Sequence, residues 1–400
     1  MSAKVVAMRA VPTSRKYLQG LFAVSLFGAI QMVGGATQAA DAPKPKPKPS
    51  FQYQTSGVEI SIPTADEAKF STFDRQNIEA AAKYLEGGAI SWVREKNCIN
   101  CHTTGPYMAE RPGLSRYLGM PQSEVRDDFV KCVPDQFDPA KTPSGGLGGA
   151  VWRTLGLAEW DKHISGSVSE ATDRSLRDIL QRQSANGGFA SSGEVEIPHI
   201  TTDFELSLQA ARAITAAPGW LAELQDADLR KRVDKLKEFL QQAKPRNDYE
   251  RVLRLQLAAM LPPLVSAEEV QAALGLLSDK QHADGGWSLR DMSATDNWRT
   301  PMSDTVLKLI ASLPDVDRPE SDPYMTALAI VLMREVGVPS TDARIQRGIA
   351  WLKQEQRVSG RWWMHSLYRG NYHYITYIAT AQAMKALALC GELPEKVASK

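Results

Sequence analysis

A short pattern that occurs three times constrains the fold of this chain more than any other feature of its sequence. In the segments 183–189, 281–287 and 356–362, a glutamine is followed by a glycine four residues later and by an aromatic residue six residues later. An apolar helical periodicity precedes each copy, and a second apolar helical segment follows it. Each repeat is therefore predicted to contain a helix, a glycine-aromatic turn, a loop and another helix.

The residue types in the pattern suit a tight turn between two helices. Glycine permits a sharp exit from the first helix, and glutamine can hydrogen-bond backbone groups at the end of a neighbouring helix. The aromatic rings of Phe189, Trp287 and Trp362 are predicted to fold back onto the helices. Further helical stretches without the complete pattern occur at 148–164, 228–261 and 321–338.

The pattern resembles the Gln-and-Trp repeat of squalene cyclases and protein prenyltransferases, in which a glutamine precedes a Gly-x-Trp sequence. The resemblance covers most of residues 75–390. It implies an all-α fold, an α/α toroid of about six helical hairpins in which outer and inner helices alternate around a central cavity. An open solenoid of helical repeats is the alternative, because short matches at fixed offsets also occur in other helix-turn-helix arrays.

The resemblance also implies that the starts of the inner helices line the central cavity. Polar and aromatic residues are dense there, and such a wall suits an apolar, isoprenoid-like or cationic small molecule. The alternative is that the acidic residues cap helices and the rings belong to the core. The residues in question are His199, Thr202, Asp203, Glu205, Trp298, Asp304, Asp322, Tyr324, His365, Tyr368, Tyr372, His373, Tyr374 and Tyr377.

The acidic residues depart from the catalytic pattern of the family. Squalene-type cyclases protonate an alkene with an aspartate of an Asp-x-Asp-Asp motif, whereas the nearest string here, at 315–318, ends in arginine. Prenyltransferases bind zinc through Asp, Cys and His at inner-helix starts, and no cysteine occupies such a position after Cys132. Asp322, Asp203 and His373 remain as candidates for catalysis, and the sequence leaves open whether the protein is an enzyme.

A C-x-x-C-H motif, formed by Cys98, Cys101 and His102, has the spacing that attaches haem c covalently. The two thiols can meet the two vinyl groups of one porphyrin, and the histidine that follows can ligate the iron. When residues 89–103 are aligned with 348–362, the motif falls where the other repeats carry their turn. We therefore expect haem c within the first repeat rather than in a separate cytochrome domain.

Other uses of the same cysteines remain open. A disulfide or redox pair needs only the two thiols, and it leaves the adjoining histidine unexplained. A zinc site would add Cys132 or another histidine. The sequence does not show whether Cys132 pairs with Cys390.

The sixth ligand of a haem iron is less constrained than the fifth. Met108 and Met120 lie downstream of the motif and are the expected candidates. His163, His199 and a five-coordinate iron are the alternatives. Each methionine is equally suited to filling space in the core.

The N-terminal segment has the composition of an export signal. Residues 1–39 combine a positive start, an apolar stretch and small residues before a cleavage point, which is typical of a secretory signal peptide. A Lys/Pro-rich linker follows at 40–50, and a single toroid domain is predicted for 51–395. The protein is therefore expected to be exported, to the periplasm in a Gram-negative cell, with an uncleaved membrane anchor as the alternative.

Charge and motifs together leave two classes of function. Forty-seven Lys and Arg against 46 Asp and Glu give a net charge of +1, so no basic excess argues for nucleic acid. The first class is a haem c toroid that transfers electrons to a periplasmic redox partner or senses a small ligand. The second is a cyclase-like enzyme or binder of an apolar lipid, in which the cysteine pair is structural.

Overall fold

The computed structural model describes residues 53–396 except for 56, 97, 98, 101, 192–201, 299–303, 305–307, 309–311, 313–318 and 365–373. Near its start, two short antiparallel strands, β1 (Gln54–Thr55) and β2 (Val58–Glu59), pair with each other. The other named elements of the described residues are helices. The prediction of an all-α fold is therefore confirmed.

Twelve helices of seven or more residues alternate between an outer and an inner position in the described part of the chain. The outer helices are α1 (Arg75–Lys96), α3 (Ser123–Lys131), α5 (Glu170–Gln181), α7 (Ala227–Gln242), α9 (Ala267–Asp279) and α11 (Ala343–Glu355). The inner helices are α2 (Thr104–Glu110), α4 (Gly146–Trp160), α6 (Asp203–Ala216), α8 (Asp248–Met260), α10 (Pro323–Glu335) and α12 (Tyr374–Leu389). Shorter helical turns are Pro112–Leu114, Ser115–Leu118, Asp161–Ser165, Trp220–Glu223, Pro262–Leu264, Leu289–Met292 and Thr295–Asn297.

The inner helices form a closed ring. Each of α2, α4, α6, α8 and α10 packs against the next inner helix, and α12 packs against α2. Each outer helix from α3 to α11 packs against the inner helix that precedes it in the chain, and α1 packs against both α2 and α12. An open solenoid has two terminal repeats without a neighbour, whereas this ring joins its ends. The fold is therefore the predicted α/α toroid, with six hairpins.

Burial explains why the two rings differ in sequence. Nearly every residue of α10 from Pro323 to Met333 is buried, because an inner helix is enclosed on all sides. Outer helix α9 fully buries only Ala273 and Leu277, and its exposed residues include Glu268, Glu269 and Gln271. Side-chain caps then fix where several helices begin, as with Ser266, which forms a capping box at the start of α9.

The repeated glutamines make the same pair of hydrogen bonds in all three repeats. The side-chain Nε2 of Gln281 donates to the carbonyl of Gly285 at 2.8 Å and to that of Arg344, in the next outer helix α11, at 2.8 Å. Gln183 bonds in the same way to its own turn and to α7. Gln356 bonds to Gly360 and to α1, both at 2.9 Å, and so helps to close the ring.

The repeated aromatic rings also occupy equivalent positions, as predicted. Phe189, Trp287 and Trp362 are each fully buried. The indole N–H groups of Trp287 and Trp362 donate to the carbonyl ten residues earlier, at 2.6 and 2.7 Å. Each aromatic residue also donates its backbone N–H to a hydroxyl on an inner helix, from Ser207, Thr326 or Thr380. The hydroxyl partners were not anticipated from the sequence, because they lie 18 to 39 residues away.

We predict that Gly360→Ala destabilises the protein more than Gly166→Ala. Both glycines have positive φ, 89° and 75°, so either alanine costs about 1–2 kcal/mol in a left-handed conformation. At Gly360 the new Cβ would lie 2.1 Å from the carbonyl carbon of Ala80 in α1, whereas at Gly166 nothing lies within 4 Å. Overpacking should add about 1–3 kcal/mol at Gly360. Equal shifts of the two variants in urea unfolding would contradict this packing argument.

The described residues contain no helix long and apolar enough to cross a membrane. The predicted signal peptide and the linker, 1–39 and 40–50, lie outside the described residues.

Candidate functional site

The C-x-x-C-H motif lies between outer helix α1 and inner helix α2, as the alignment of repeats predicts. Cys98 and Cys101 lie outside the described residues, and His102 is described and half-buried. Inner helix α2 begins at Thr104, directly after the motif, without the intervening loop that the sequence led us to expect. Because this connection is short, His102 lies two residues before the start of the first inner helix.

Thr103 and Trp92 both contact the imidazole ring of His102. Its Nδ1 lies 3.0 Å from the hydroxyl of Thr103, which lies 2.6 Å from the hydroxyl of Tyr53. The edge of the Trp92 indole meets the imidazole at 90°, with 4.9 Å between ring centroids. A histidine that ligates a metal through Nε2 commonly has its other nitrogen held in this way, because that bond fixes the tautomer and the ring orientation.

Asn100 lies between the two cysteines of the motif in the sequence, and its side chain organises the backbone of the turn. Its side-chain oxygen accepts hydrogen bonds from the N–H groups of His102, at 3.0 Å, and Thr103, at 2.6 Å. Its carbonyl accepts from Gly105 at 2.9 Å. This role was not predicted from the sequence, although asparagine is a common turn-forming residue.

Two buried hydrogen-bond donors beside the motif have no partner among the described residues. They are Nδ2 of Asn100 and the indole Nε1 of Trp152, in α4. The Trp152 ring lies against the first turn of α2, since a Cβ added at Gly105 would lie 3.1 Å from the Trp152 Cδ2. An unpartnered buried donor costs about 1–3 kcal/mol, so these two donors call for an acceptor. The propionates of a haem accept hydrogen bonds, and these two donors therefore fit a haem at the motif.

The structure places the two proposed sixth ligands in different environments. Met108 is fully buried between α2 and α4, where Gly156 leaves room for it, and Met120 is 66% exposed. His163 lies 3.3 Å from the carboxylate of Glu159 at the far end of α4, and His199 lies outside the described residues. The identity of the sixth ligand stays a prediction.

The remaining cysteines are not paired with each other. Cys132 and Cys390 form no disulfide and are half-buried, and burial raises the pKa of Cys390 to about 11. Within the described residues, no group of three or more His, Cys, Asp and Glu side chains is arranged to hold a metal ion.

The starts of the inner helices bring some of the predicted cavity residues together. The Tyr249 hydroxyl donates to the Glu205 carboxylate at 3.1 Å and lies 2.8 Å from the Tyr324 hydroxyl. These three residues come from α6, α8 and α10, which are neighbours in the ring. Burial raises the pKa of Glu205 to about 7, against the opposing effect of the Tyr249 hydrogen bond. A carboxyl group with this pKa can donate or accept a proton near neutral pH.

The predicted catalytic aspartates both begin inner helices. Asp322 is the N-cap of α10, accepting from the N–H groups of Met325 at 2.8 Å and Leu289 at 2.5 Å. Burial raises its pKa to about 7 despite these bonds. Asp203 is exposed and accepts from Ser191 N–H at 2.6 Å, and His373 lies outside the described residues. Their catalytic roles stay predictions.

A cavity of about 700 Å³ lies at the opposite ends of the inner helices. Charged side chains dominate its lining, and the aromatic wall predicted for the helix starts belongs to the other end of the ring. The residues that carry charge there are Glu110, Arg116, Glu159, Lys162, Arg212, Glu335 and Lys385.

Arg212 is the centre of this charged group. Its guanidinium donates to Glu110 at 2.7 Å and to Glu159 at 2.8 Å. Lys385 lies 3.3 Å from Glu110 and 2.9 Å from Glu335. Burial has the largest effect on the pKa of Glu159 and would raise it, but Arg212 together with His163, Lys162 and Lys385 lowers this pKa to about 2. Burial would also raise the pKa of Glu110, and attraction to Arg212 and Lys385 lowers it instead. Glu110 and Glu159 are therefore ionised at neutral pH.

No protein family profile and no curated protein matches the chain. Among solved structures, it is similar to the ent-copalyl diphosphate synthase of Streptomyces platensis, with 14% identity and a TM-score of 0.47 over 72% of this chain. The chain spans about half of that synthase, 50% of its length.

Two glycosidase structures are also similar. The wild-type enzyme has 9% identity and a TM-score of 0.43, covering 86% of this chain and 94% of its own. A variant in complex with glucose has 9% identity and a TM-score of 0.40, covering 80% and 87%. The toroid assignment itself rests on the closed ring of inner helices described above.

Proposed function

We propose that this protein is an exported haem c protein, in which Cys98 and Cys101 bind the porphyrin covalently and His102 ligates the iron. The observation that carries the proposal is the environment of His102. Its Nδ1 contacts Thr103 at 3.0 Å, and two unpartnered buried donors lie on or against the same turn. A disulfide between the two cysteines accounts for neither feature.

Each residue of the turn has a defined part in this proposal. The Thr103 hydroxyl holds Nδ1 of His102 at 3.0 Å, and in this proposal Nε2 is the iron ligand. A T-shaped contact with Trp92 restricts the imidazole ring, and the Asn100 side chain accepts hydrogen bonds from the backbone N–H groups of His102 and Thr103. When bound, the haem would supply one-electron redox chemistry, which suits electron transfer with a periplasmic partner or the sensing of a small ligand.

The test is expression of the full chain in a Gram-negative host that has a haem c maturation system. We expect a Soret absorption band, haem staining that survives denaturing electrophoresis, and an intact mass increased by one haem. Cys98→Ser and Cys101→Ser should each lose one of the two thioether bonds to the haem. The double variant should lose covalent haem completely. Cys132→Ser, which changes a cysteine outside the motif, should keep the covalent haem.

The same mass spectrum tests export, because the mature protein should lack residues 1–39. A chain that still begins at Met1 would contradict export. Wild-type protein without a Soret band or a mass increase would overturn the haem proposal.

A terpenoid cyclase-like enzyme or apolar-lipid binder, with Cys98 and Cys101 structural, is the second candidate. The observation that favours it is the pair of buried carboxyls at inner-helix starts, Glu205 and Asp322, whose pKa values are both raised to about 7. Such groups can serve as general acids, and the closed ring could enclose an isoprenoid-like guest. The charged cavity at the other end of the ring suits a polar guest better. Absence of haem would make this candidate the leading one.

A further inference from the structure

A separate cavity of about 550 Å³ lies beside the second glycine-aromatic turn and the start of α10. Ser321, His282 and Asp284 are among its lining residues, together with Trp351 and Trp363. In this cavity, the Ser321 hydroxyl lies 3.0 Å from Nδ1 of His282. On the other side of the imidazole, Nε2 lies 2.6 Å from the Asp291 carboxylate.

We propose that Ser321, His282 and Asp291 form a nucleophilic triad that hydrolyses a small carboxylic ester bound in this cavity. A hydroxyl, an imidazole and a carboxylate in hydrogen-bonded series are the arrangement that activates serine. The cavity volume is within the range that takes a small organic ligand. Trp351 and Trp363 offer a surface for an aromatic or apolar part of the substrate.

The repeat itself does not require a histidine at position 282. The equivalent residues, directly after the repeated glutamine, are Ser184 and Arg357. All three make the same backbone hydrogen bond to the carbonyl four residues later, at 2.9 Å. The turn therefore forms with different side chains, and its geometry does not explain the alignment of His282 with Ser321 and Asp291.

Local packing holds the three groups in place. Ser321 directly precedes Asp322, whose backbone N–H donates to the Trp287 carbonyl at 2.8 Å. Gly286 permits this close approach, since a Cβ added there would lie 2.5 Å from the Ser321 Cβ. Asp291 is in the helical turn Leu289–Met292, and Lys280 donates to its carbonyl at 2.5 Å.

Asp284 gives the serine hydroxyl a second partner. Its carboxylate lies 2.8 Å from the Ser321 oxygen and also accepts from the Trp351 indole at 3.1 Å. When His282 is neutral with its proton on Nε2, Nδ1 can accept the serine proton. When the imidazole carries both protons, the hydroxyl donates to Asp284 instead, and the serine is not activated.

The reaction balances with water as the only co-reactant. The Ser321 oxygen attacks the ester carbonyl carbon while its proton passes to Nδ1 of His282. The bond to the alcohol oxygen then breaks, and His282 returns the proton to the departing alcohol. Water attacks the acyl-serine in the same way, which releases the carboxylic acid and restores the serine. Asp291 stabilises the imidazolium throughout, and the positive end of α10 adjoins the site of attack.

The test uses the purified full chain, a serine-reactive fluorophosphonate and p-nitrophenyl acetate. We expect the fluorophosphonate to label Ser321, as located by peptide mass spectrometry, and the ester to be hydrolysed above the background rate. Ser321→Ala should abolish labelling. Asp291→Asn and His282→Ser, which installs the residue found at position 184, should each lower the rate of labelling at least about 100-fold.

Ser288→Ala is the matched control, because Ser288 lines the same cavity outside the triad. The fluorophosphonate should label the Ser288→Ala variant at the same rate as the wild type. Unchanged circular dichroism will show that each variant is folded. Wild-type protein that does not react, or a Ser321→Ala variant that reacts equally, would overturn the proposal. This outcome is independent of haem, since neither reagent reports on the C-x-x-C-H motif.

Discussion

Trp362→Ala is expected to lower the free energy of unfolding by about 3–5 kcal/mol, because a fully buried indole leaves a cavity that the helices cannot close. The loss includes the hydrogen bond from the indole N–H to the Leu352 carbonyl, at 2.7 Å. The ring also lies at the seam of the toroid, where the same turn is tied through Gln356 to α1. Loosening this turn therefore weakens closure as well as local packing.

Urea unfolding followed by circular dichroism measures this effect. Trp363→Ala is the control, because it removes the same side chain from the adjoining, half-buried position. We expect it to cost about 1 kcal/mol. If Trp362→Ala lowered the free energy of unfolding no more than the control does, the shared buried position of the three aromatic rings would not contribute to stability.

Arg212→Met is expected to cost about 3–5 kcal/mol at pH 7, since it leaves the buried carboxylates of Glu110 and Glu159 without their shared cation. Methionine keeps much of the volume, so the loss reports on charge rather than on a cavity. Arg116→Met is the control, because Arg116 lines the same cavity but is largely exposed in its pair with Glu395. An exposed pair contributes about 0–1 kcal/mol.

The pH dependence provides an independent readout of the same group. In the wild type, the pKa of Glu159 is lowered to about 2, so its stabilising contribution is present above its unfolded pKa and is lost as pH falls from about 5 towards 2. Arg212→Met removes the largest of the attractions that lower this pKa, so the pKa of Glu159 should rise from about 2. The deficit of the variant should then shrink as pH falls from 7 to 4. A deficit that is constant over this range would contradict the charge argument.

The repeat and its turn could be predicted from the sequence because their chemistry is local. Gln281 bonds to a carbonyl four residues away, and Gly285 is needed where φ reaches 97°. Both requirements leave a fixed spacing that is visible in the sequence without knowledge of the fold. The position of the C-x-x-C-H motif between an outer and an inner helix followed from the same spacing.

The partners of the inner helices could not be predicted in this way. Arg212 meets Glu110 and Glu159, which lie 102 and 53 residues earlier in the chain. His282 meets Ser321 across 39 residues. No periodicity relates such positions, because the closing of the ring brings them together.

The amino-acid sequence by itself determined the helical hairpins, the glycine-aromatic turns and the turn that carries Cys98, Cys101 and His102, since each depends on residues a few positions apart. Only the tertiary structure decided that Gln356 reaches α1, that charged side chains gather at the C-terminal ends of the inner helices, and that Ser321 faces an imidazole. The physical reason is that a closed ring fixes distances between helices through packing of all its repeats at once, and no single segment contains that information.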